Sequence, residues 1–181
     1  MSRSENKMAQ AAHSAGFEVR NGERRLALDP ASMPPDAGLV FIGRVASPWL
    51  RREDCPKNIA QARERGAPAE IHVDPAFRDG LDGLAVCSHL VLLTWLDRAP
   101  RDLIVQKPRH AEAPRGTFAL RSPVRPNPVG LHVCAILSVD VEAGIVAVDA
   151  IDVLDATPVI DIKPYFASTD AVAAATRPQD A

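Results

Sequence analysis

The apolar residues of this chain gather in short β-rich runs punctuated by Pro, Gly and Asp, a pattern that predicts strands rather than helices. LVFIGRV, Leu39 to Val45, stopped by Ser47-Pro48, reads as the first strand of a domain. Asp54 is a candidate N-cap with Pro56 in the first turn; KNIAQARER and a stop at Gly66 follow, which predicts one short helix. AEIHV predicts a strand ending at Asp74-Pro75, FRDGLDGL a turn-rich crossing, and SHLVLLTWL, Ser88 to Leu96, a buried strand. Residues 97–116 carry Pro and Arg without periodicity and predict a long loop. After a strand-like TFAL, the segment LHVCAILSVDVEAGIVAVDAIDVLD predicts two long strands around a turn at Ala143-Gly144, and Pro158 and Pro164 bracket a last short segment, VIDIK.

Seven or so strand candidates, one helix and no alternation of strands with long helices predict a mainly β fold, an antiparallel barrel-like domain with long loops. Residues 1–37 are polar and end in SMPPDAG, which predicts an N-terminal extension that packs little or is partly disordered. The core is expected over 38–166, and the alanine-rich residues 167–181 are expected to fray. A chain of 181 residues with 46% hydrophobic content can fill one core. No apolar run approaches a membrane span, and MSRSENKMAQ leads into no apolar h-region, so the cytoplasm is the default expectation.

The net charge of -2 argues against unspecific adhesion to nucleic acid, but its distribution changes that picture. Arg98, Arg101, Lys107, Arg109, Arg115, Arg121 and Arg125 face only Asp102 and Glu112 in their stretch, whereas the acids from Asp140 to Asp170 face only Lys163. Cys55, Cys87 and Cys134 lack CxxC spacing, and the five histidines lack ligand-like spacing, so neither a disulfide nor a metal site is expected.

Two stretches carry candidate chemistry. RSPVRPNPVG, Arg121 to Gly130, packs three prolines beside Arg121, Arg125 and Asn127. Proline fixes φ, so such a loop is stiff and can hold these side chains in place before a ligand arrives. DVLDATPVIDIKPY, Asp152 to Tyr165, places two carboxylates three residues apart; Asp152 and Asp155 point to opposite faces of a strand unless the chain turns, and Ala-Thr-Pro makes a turn plausible. GxGxxG after a strand, Walker loops, GxSxG and HExxH are all absent, which argues against the doubly wound nucleotide folds and the familiar hydrolase and zinc signatures.

FALRSPVRPNPVGLHV and DVLDATPVIDIKPY, with FIGRVASP upstream and CSHLVLLTW between them, resemble the TsaA-like family of S-adenosylmethionine-dependent tRNA methyltransferases, over about residues 39–166. The resemblance implies a small single-sheet β-barrel acting as a homodimer. It also implies methylation of the N6 nitrogen of threonylcarbamoyladenosine beside the tRNA anticodon. The family's cofactor contacts fall on Pro56, Lys57 and Asn58, on His89 and Leu90, on Arg121 and Leu131, and on Asp152, Val153, Leu154 and Asp155. Carboxylates suit the diol, ammonium or sulfonium of S-adenosylmethionine, arginine grips its carboxylate, and leucines wall an adenine.

The acceptor nitrogen belongs to a ureido group and is a weak nucleophile, so positioning dominates and a base is needed; Asp155 and Asp161 are the candidates. Lys163 and Tyr165 are placed to hold the target base or its substituent, Arg125 or Lys163 to meet the threonyl carboxylate, with Asn127 beside them. The basic stretch would form a rim for the RNA, with Trp95 or Tyr165 available to stack. Asp161 and Lys163 lie two apart on one strand face, where a structural ion pair is an equal reading.

Three features depart from the family pattern. Ala156 stands where glycine is usual, so a turn using φ > 0 must be reshaped or strained, and Val124 stands where phenylalanine is common. Many bacterial members also carry a further C-terminal domain, while this chain ends about 16 residues after Tyr165. These departures leave open a cofactor-binding sensor module or a methyltransferase for an acceptor other than tRNA.

Overall fold

Nine strands are found among the residues described, 18–109 and 111–176, in a computed structural model. They are β1 (Arg24–Arg25), β2 (Gly43–Ala46), β3 (Ala69–Val73), β4 (His89–Trp95), β5 (Leu103–Gln106), β6 (Arg115–Gly116), β7 (Val129–Asp140), β8 (Ile145–Val148) and β9 (Pro158–Pro164). Two short α-helices, α1 (Ile59–Glu64) and α2 (Ala167–Asp170), and several 3-10 turns complete the set. The chain divides into two units, one of Leu39–Trp95 with Gly130–Ala175, the other of the segment before Leu39 with Leu96–Val129.

The first unit is a closed barrel in the order β2-β3-β8-β7-β4-β9, so the expected antiparallel barrel is found. Its interior follows from period-two patterning: β3 reads buried-exposed throughout, and β4 turns Leu90, Leu92 and Thr94 inward. Val45, Ile71, Leu90, Leu92, Cys134, Val146, Val148 and Val159 are buried to 1% exposure or less. Closure removes the open edges that β2 and β9 would otherwise expose. Gly43 allows the β2–β3 approach, because a Cβ there would lie 2.0 Å from the carbonyl oxygen of His72.

Two local expectations change in the barrel. The first strand starts at Gly43, with Leu39 and Val40 exposed before it. The helix starts at Ile59, and its N-cap is Asn58 rather than Asp54. The Asn58 side chain accepts from Gln61 N at 3.0 Å, while Lys57 N donates back to Gln61 Oε1, so the reciprocal pair wins over the upstream aspartate, which pairs with Arg51. Gly66, at φ 62, ends the helix as read.

The second unit holds the sheet β1-β5-β6. Residues 97–116 are therefore not one structureless loop: LIVQ is a strand too short for periodicity to reveal. β1 pairs with it, and Arg25 binds Asp102, so this part of the N-terminal segment is docked. Residues 1–17 lie outside the described residues. The Pro-rich loop is clipped to the same sheet. The Gln106 amide donates to Thr117 Oγ1 and to Val124 O, Thr117 Oγ1 donates to Leu103 O, and Val124 is only 4% exposed.

Candidate functional site

The segment after β8 forms a turn against the end of β2. Asp155 N donates to Trp49 O, Ala156 N to Val45 O, Ser47 Oγ to Val153 O at 2.8 Å and the Trp49 indole to Ile151 O at 2.7 Å. In return Asp155 Oδ1 accepts from Ser47 N at 3.0 Å. The turn closes when Thr157 bonds Leu154 O through both its N–H and its hydroxyl. Ala156 sits in it at φ 61, the third residue of the pattern seen in type II turns, where glycine is the default. The turn is thus strained rather than reshaped. The open groove beside it measures about 500 Å³ and is lined by Ser47, Pro48, Pro68, Leu137 and Asp155 among others.

The turn sends Asp152 and Asp155 to different partners. Asp152 Oδ1 meets His132 Nδ1 at 2.7 Å, and His132 Nε2 meets Thr94 Oγ1 at 3.0 Å. Thr94 is fully buried and His132 is 7% exposed, whereas the Asp152 side chain keeps 19% exposure. Gly130 makes the contact between β4 and β7 possible: a Cβ there would lie 2.3 Å from Thr94 Oγ1 and 2.6 Å from His132 Nε2. Two thiols border the same carboxylate. Burial first, then Asp152, pushes Cys55 up to about 11, and burial, Asp149 and Asp152 push Cys134 up to about 12. Both stay protonated near neutrality and offer no thiolate.

The expected residues fall into three places. The turn gathers Asp152, Val153, Leu154 and Asp155, and Cys55 beside Asp152 brings along the following Pro56, Lys57 and Asn58. Pro56 is buried, Lys57 is exposed, and the Asn58 side-chain oxygen is engaged in capping α1. The opposite end of β4 holds a second group: the His89 and Tyr165 rings lie 6.4 Å apart, and Tyr165 N donates to His89 O. Lys163 and Asp161 form an ion pair at 2.7 Å on β9, opposite Val91 and Leu93. Leu90 is fully buried in the barrel, and Val153 is 3% exposed. Leu131, 49% exposed, does present an apolar surface.

Arg121, Arg125 and Asn127 belong to the other unit. Arg121 is exposed. Arg125 donates to Thr117 O and Leu120 O, and Asn127 Oδ1 accepts from Arg101, whose Nε also donates to Pro126 O at 2.5 Å. The sequence reading gave Arg125 and Asn127 to a substrate and Arg101 to a basic rim. In the structure Arg101 ties down the loop at Pro126 and Asn127, and Arg125 ties it to the preceding turn at Thr117 and Leu120.

A protein-family model described as the tRNA-methyltransferase O N-terminal domain matches residues 44–171. The chain belongs to this tRNA-methyltransferase O N-terminal domain family. Two archaeal proteins named "Probable S-adenosyl-L-methionine-binding protein" are similar. That of Methanothermobacter thermautotrophicus is 42% identical over 132 residues, 72% of this chain and 91% of the relative. That of Archaeoglobus fulgidus is 41% identical over 131 residues, 72% of this chain but 34% of the relative. The tRNA (adenine(37)-N6)-methyltransferase of Mus musculus is 47% identical over 66 residues, 36% of this chain and 15% of the relative. The crystal structure of TrmO from Pseudomonas aeruginosa superimposes with a TM-score of 0.63 at 30% identity, covering 78% of this chain and 62% of that one. The chain thus spans about a third of the Archaeoglobus protein and under two thirds of the TrmO chain.

The family match covers every residue expected at the site, from Pro56 to Tyr165. His132 and Thr94 escaped that expectation. Their signal was available: each is a polar residue at an inward position of an otherwise apolar run, GLHVCAIL and HLVLLTW.

Proposed function

We propose that this chain is an S-adenosylmethionine-dependent methyltransferase that modifies the N6 nitrogen of threonylcarbamoyladenosine in the tRNA anticodon loop. The observation that carries the reading is the coincidence of the family match with the closed barrel and its Asp152–Asp155 turn. The donor set there fits the cofactor's chemistry: a partly exposed carboxylate in a fixed orientation, a second held by a backbone N–H, and an apolar groove beside it. Bound there, S-adenosylmethionine would supply an electrophilic methyl group. Asp152, Asp155 and the Pro56–Asn58 loop are the residues assigned to hold it.

Asp155 and Asp161 are the two candidate bases. Asp155 Oδ1 accepts from Ser47 N, and Asp161 accepts from Lys163 and Ile162 N. His89 and Tyr165 form the face on which a splayed base would stack, with Lys163 beside it for an acidic substituent. We assign a homodimer as well, as the family resemblance implies. A tRNA substrate agrees with a cytoplasmic protein, and no helix among the described residues is long and apolar enough to cross a membrane.

One observation favours a second reading, an acceptor other than tRNA. Arg101 and Arg125, two of the seven cations of the basic stretch, donate to backbone carbonyls of Pro126 and Thr117, which leaves fewer donors for RNA phosphates. The deciding experiment is transfer from labelled S-adenosylmethionine to total tRNA of a strain lacking the modification, read by nucleoside mass spectrometry. Methylated threonylcarbamoyladenosine is the expected product. Cofactor binding without transfer to tRNA would sink the lead and leave another acceptor or a sensor. Substitutions divide the roles: Arg121→Ala should weaken cofactor binding, and Lys163→Ala should lower tRNA affinity while sparing the cofactor. The reverse would refute that division.

A further inference from the structure

We infer that His132 is a positioning residue for Asp152, and that Thr94, His132 and Asp152 form one hydrogen-bonded chain aiming a carboxylate oxygen at a polar N–H or O–H donor of the bound cofactor. The inference rests on the methyltransferase reading and adds residues to it. Thr94 Oγ1 and the His132 ring sit inside the barrel, so each bond they make is shielded from water. A carboxylate oxygen accepts, so Nδ1 of His132 is the donor to Asp152; Nε2 then accepts from the Thr94 hydroxyl, and both ring nitrogens have their complement. The ring is held at both nitrogens and cannot rotate without breaking two buried bonds.

The consequence lies at the surface end. Asp152 Oδ1 is fixed by the ring, and among the described residues no hydrogen bond engages Oδ2, while the side chain is 19% exposed. Exposure thus rises along the chain, from a fully buried hydroxyl to a carboxylate that water or a ligand can reach. Gly130 supports the same assignment, because any larger residue would displace both Thr94 Oγ1 and His132 Nε2. A histidine that only filled the core would not need to end on a partly exposed carboxylate in the turn that also carries Asp155. A preset carboxylate loses less rotational freedom on binding, which is how such a residue raises affinity.

The test is calorimetric titration of the full chain with S-adenosylhomocysteine. His132→Leu and Asp152→Asn should each weaken binding by about tenfold or more, the range of one charge-assisted hydrogen bond. The double variant should be weaker than the worse single one by no more than about twofold, because the two residues act as a unit. His132→Asn, which keeps an N–H near the Nδ1 position, should recover most of the affinity. Thr94→Val is almost isosteric and serves if His132→Leu melts below the working temperature; it should weaken binding a few-fold. In nitrogen-15 spectra of histidine-labelled protein, His132 should appear as the Nδ1-protonated tautomer, with signals that move on adding S-adenosylhomocysteine. Additive losses, or unchanged affinity in folded His132→Leu, would overturn the positioning role alone. A wild-type chain that binds no S-adenosylhomocysteine would overturn the methyltransferase reading and this inference with it.

Discussion

Replacing Ala156 with glycine should stabilise the protein, an outcome opposite to the usual effect of removing a side chain. Ala156 is held at φ 61 because its N–H donates to Val45 O, its carbonyl accepts from Arg44 and Thr157 closes the turn on Leu154. The left-handed region costs an L-residue with a Cβ about 1–2 kcal/mol. Glycine removes that cost but adds about 0.4–1 kcal/mol of unfolded-state entropy. The difference favours Ala156→Gly by about 0.8 kcal/mol, or a rise in Tm of about 2–3 °C for a chain of this size. Because Ala156 is exposed, no packing term obscures the balance. Calorimetric melts of wild type, Ala156→Gly and Ala156→Val should fall in the order glycine, wild type, valine, since a β-branched residue tolerates positive φ least. A glycine variant that melts below wild type would refute the argument that this turn stores strain.

Gly130→Ala should lower Tm by several degrees, because overpacking of this kind costs about 1–3 kcal/mol; an unchanged melt would mean that Thr94 and His132 are free to move apart. Cys55 should alkylate over a hundredfold more slowly at pH 8 than an unstructured cysteine of pKa about 8.5, its rate rising tenfold per pH unit toward its own value of about 11. The same shift makes folding less stable as pH climbs above about 8.5, since only the unfolded thiol then loses its proton; a rate plateau below pH 9 would contradict the burial. Arg125→Ala should raise amide exchange and proteolysis across residues 121–128, removing two bonds to carbonyls worth about 1.5–3 kcal/mol each. If the variant loses tRNA affinity while exchange is unchanged, Arg125 acts on the ligand after all.

The barrel was legible because its strands alternate. AEIHV became β3 without adjustment, and the Ala143-Gly144 turn joins β7 to β8, with Gly144 at φ 72. The β1-β5-β6 sheet was not, because strands of two and four residues carry too few positions to show a period, and β1 gains its place only through distant pairing. The missed start of α1 has a similar cause: Asp54 and Asn58 are both good caps, and only the reciprocal bonds with Gln61 decide between them.

The site divides along the same line. A carboxylate spacing of three followed by Ala-Thr-Pro is a local fact, the family resemblance adds that Ala156 stands in a glycine position, and the turn is present with Ala156 at positive φ. Whether a polar side chain faces a ligand or its own backbone depends on carbonyls that no local pattern locates. Arg125 was assigned outward because arginines in stiff loops suggest binding, yet its guanidinium also reaches back to the carbonyls of Thr117 and Leu120, upstream of the loop. His132 received no role: it is buried as its apolar neighbours suggest, and only the third dimension links it to Asp152, twenty residues on. A polar residue at an inward strand position therefore calls for a search for its partner across the fold. Here that search leads from Thr94 in β4 through His132 in β7 to the turn expected to hold the cofactor.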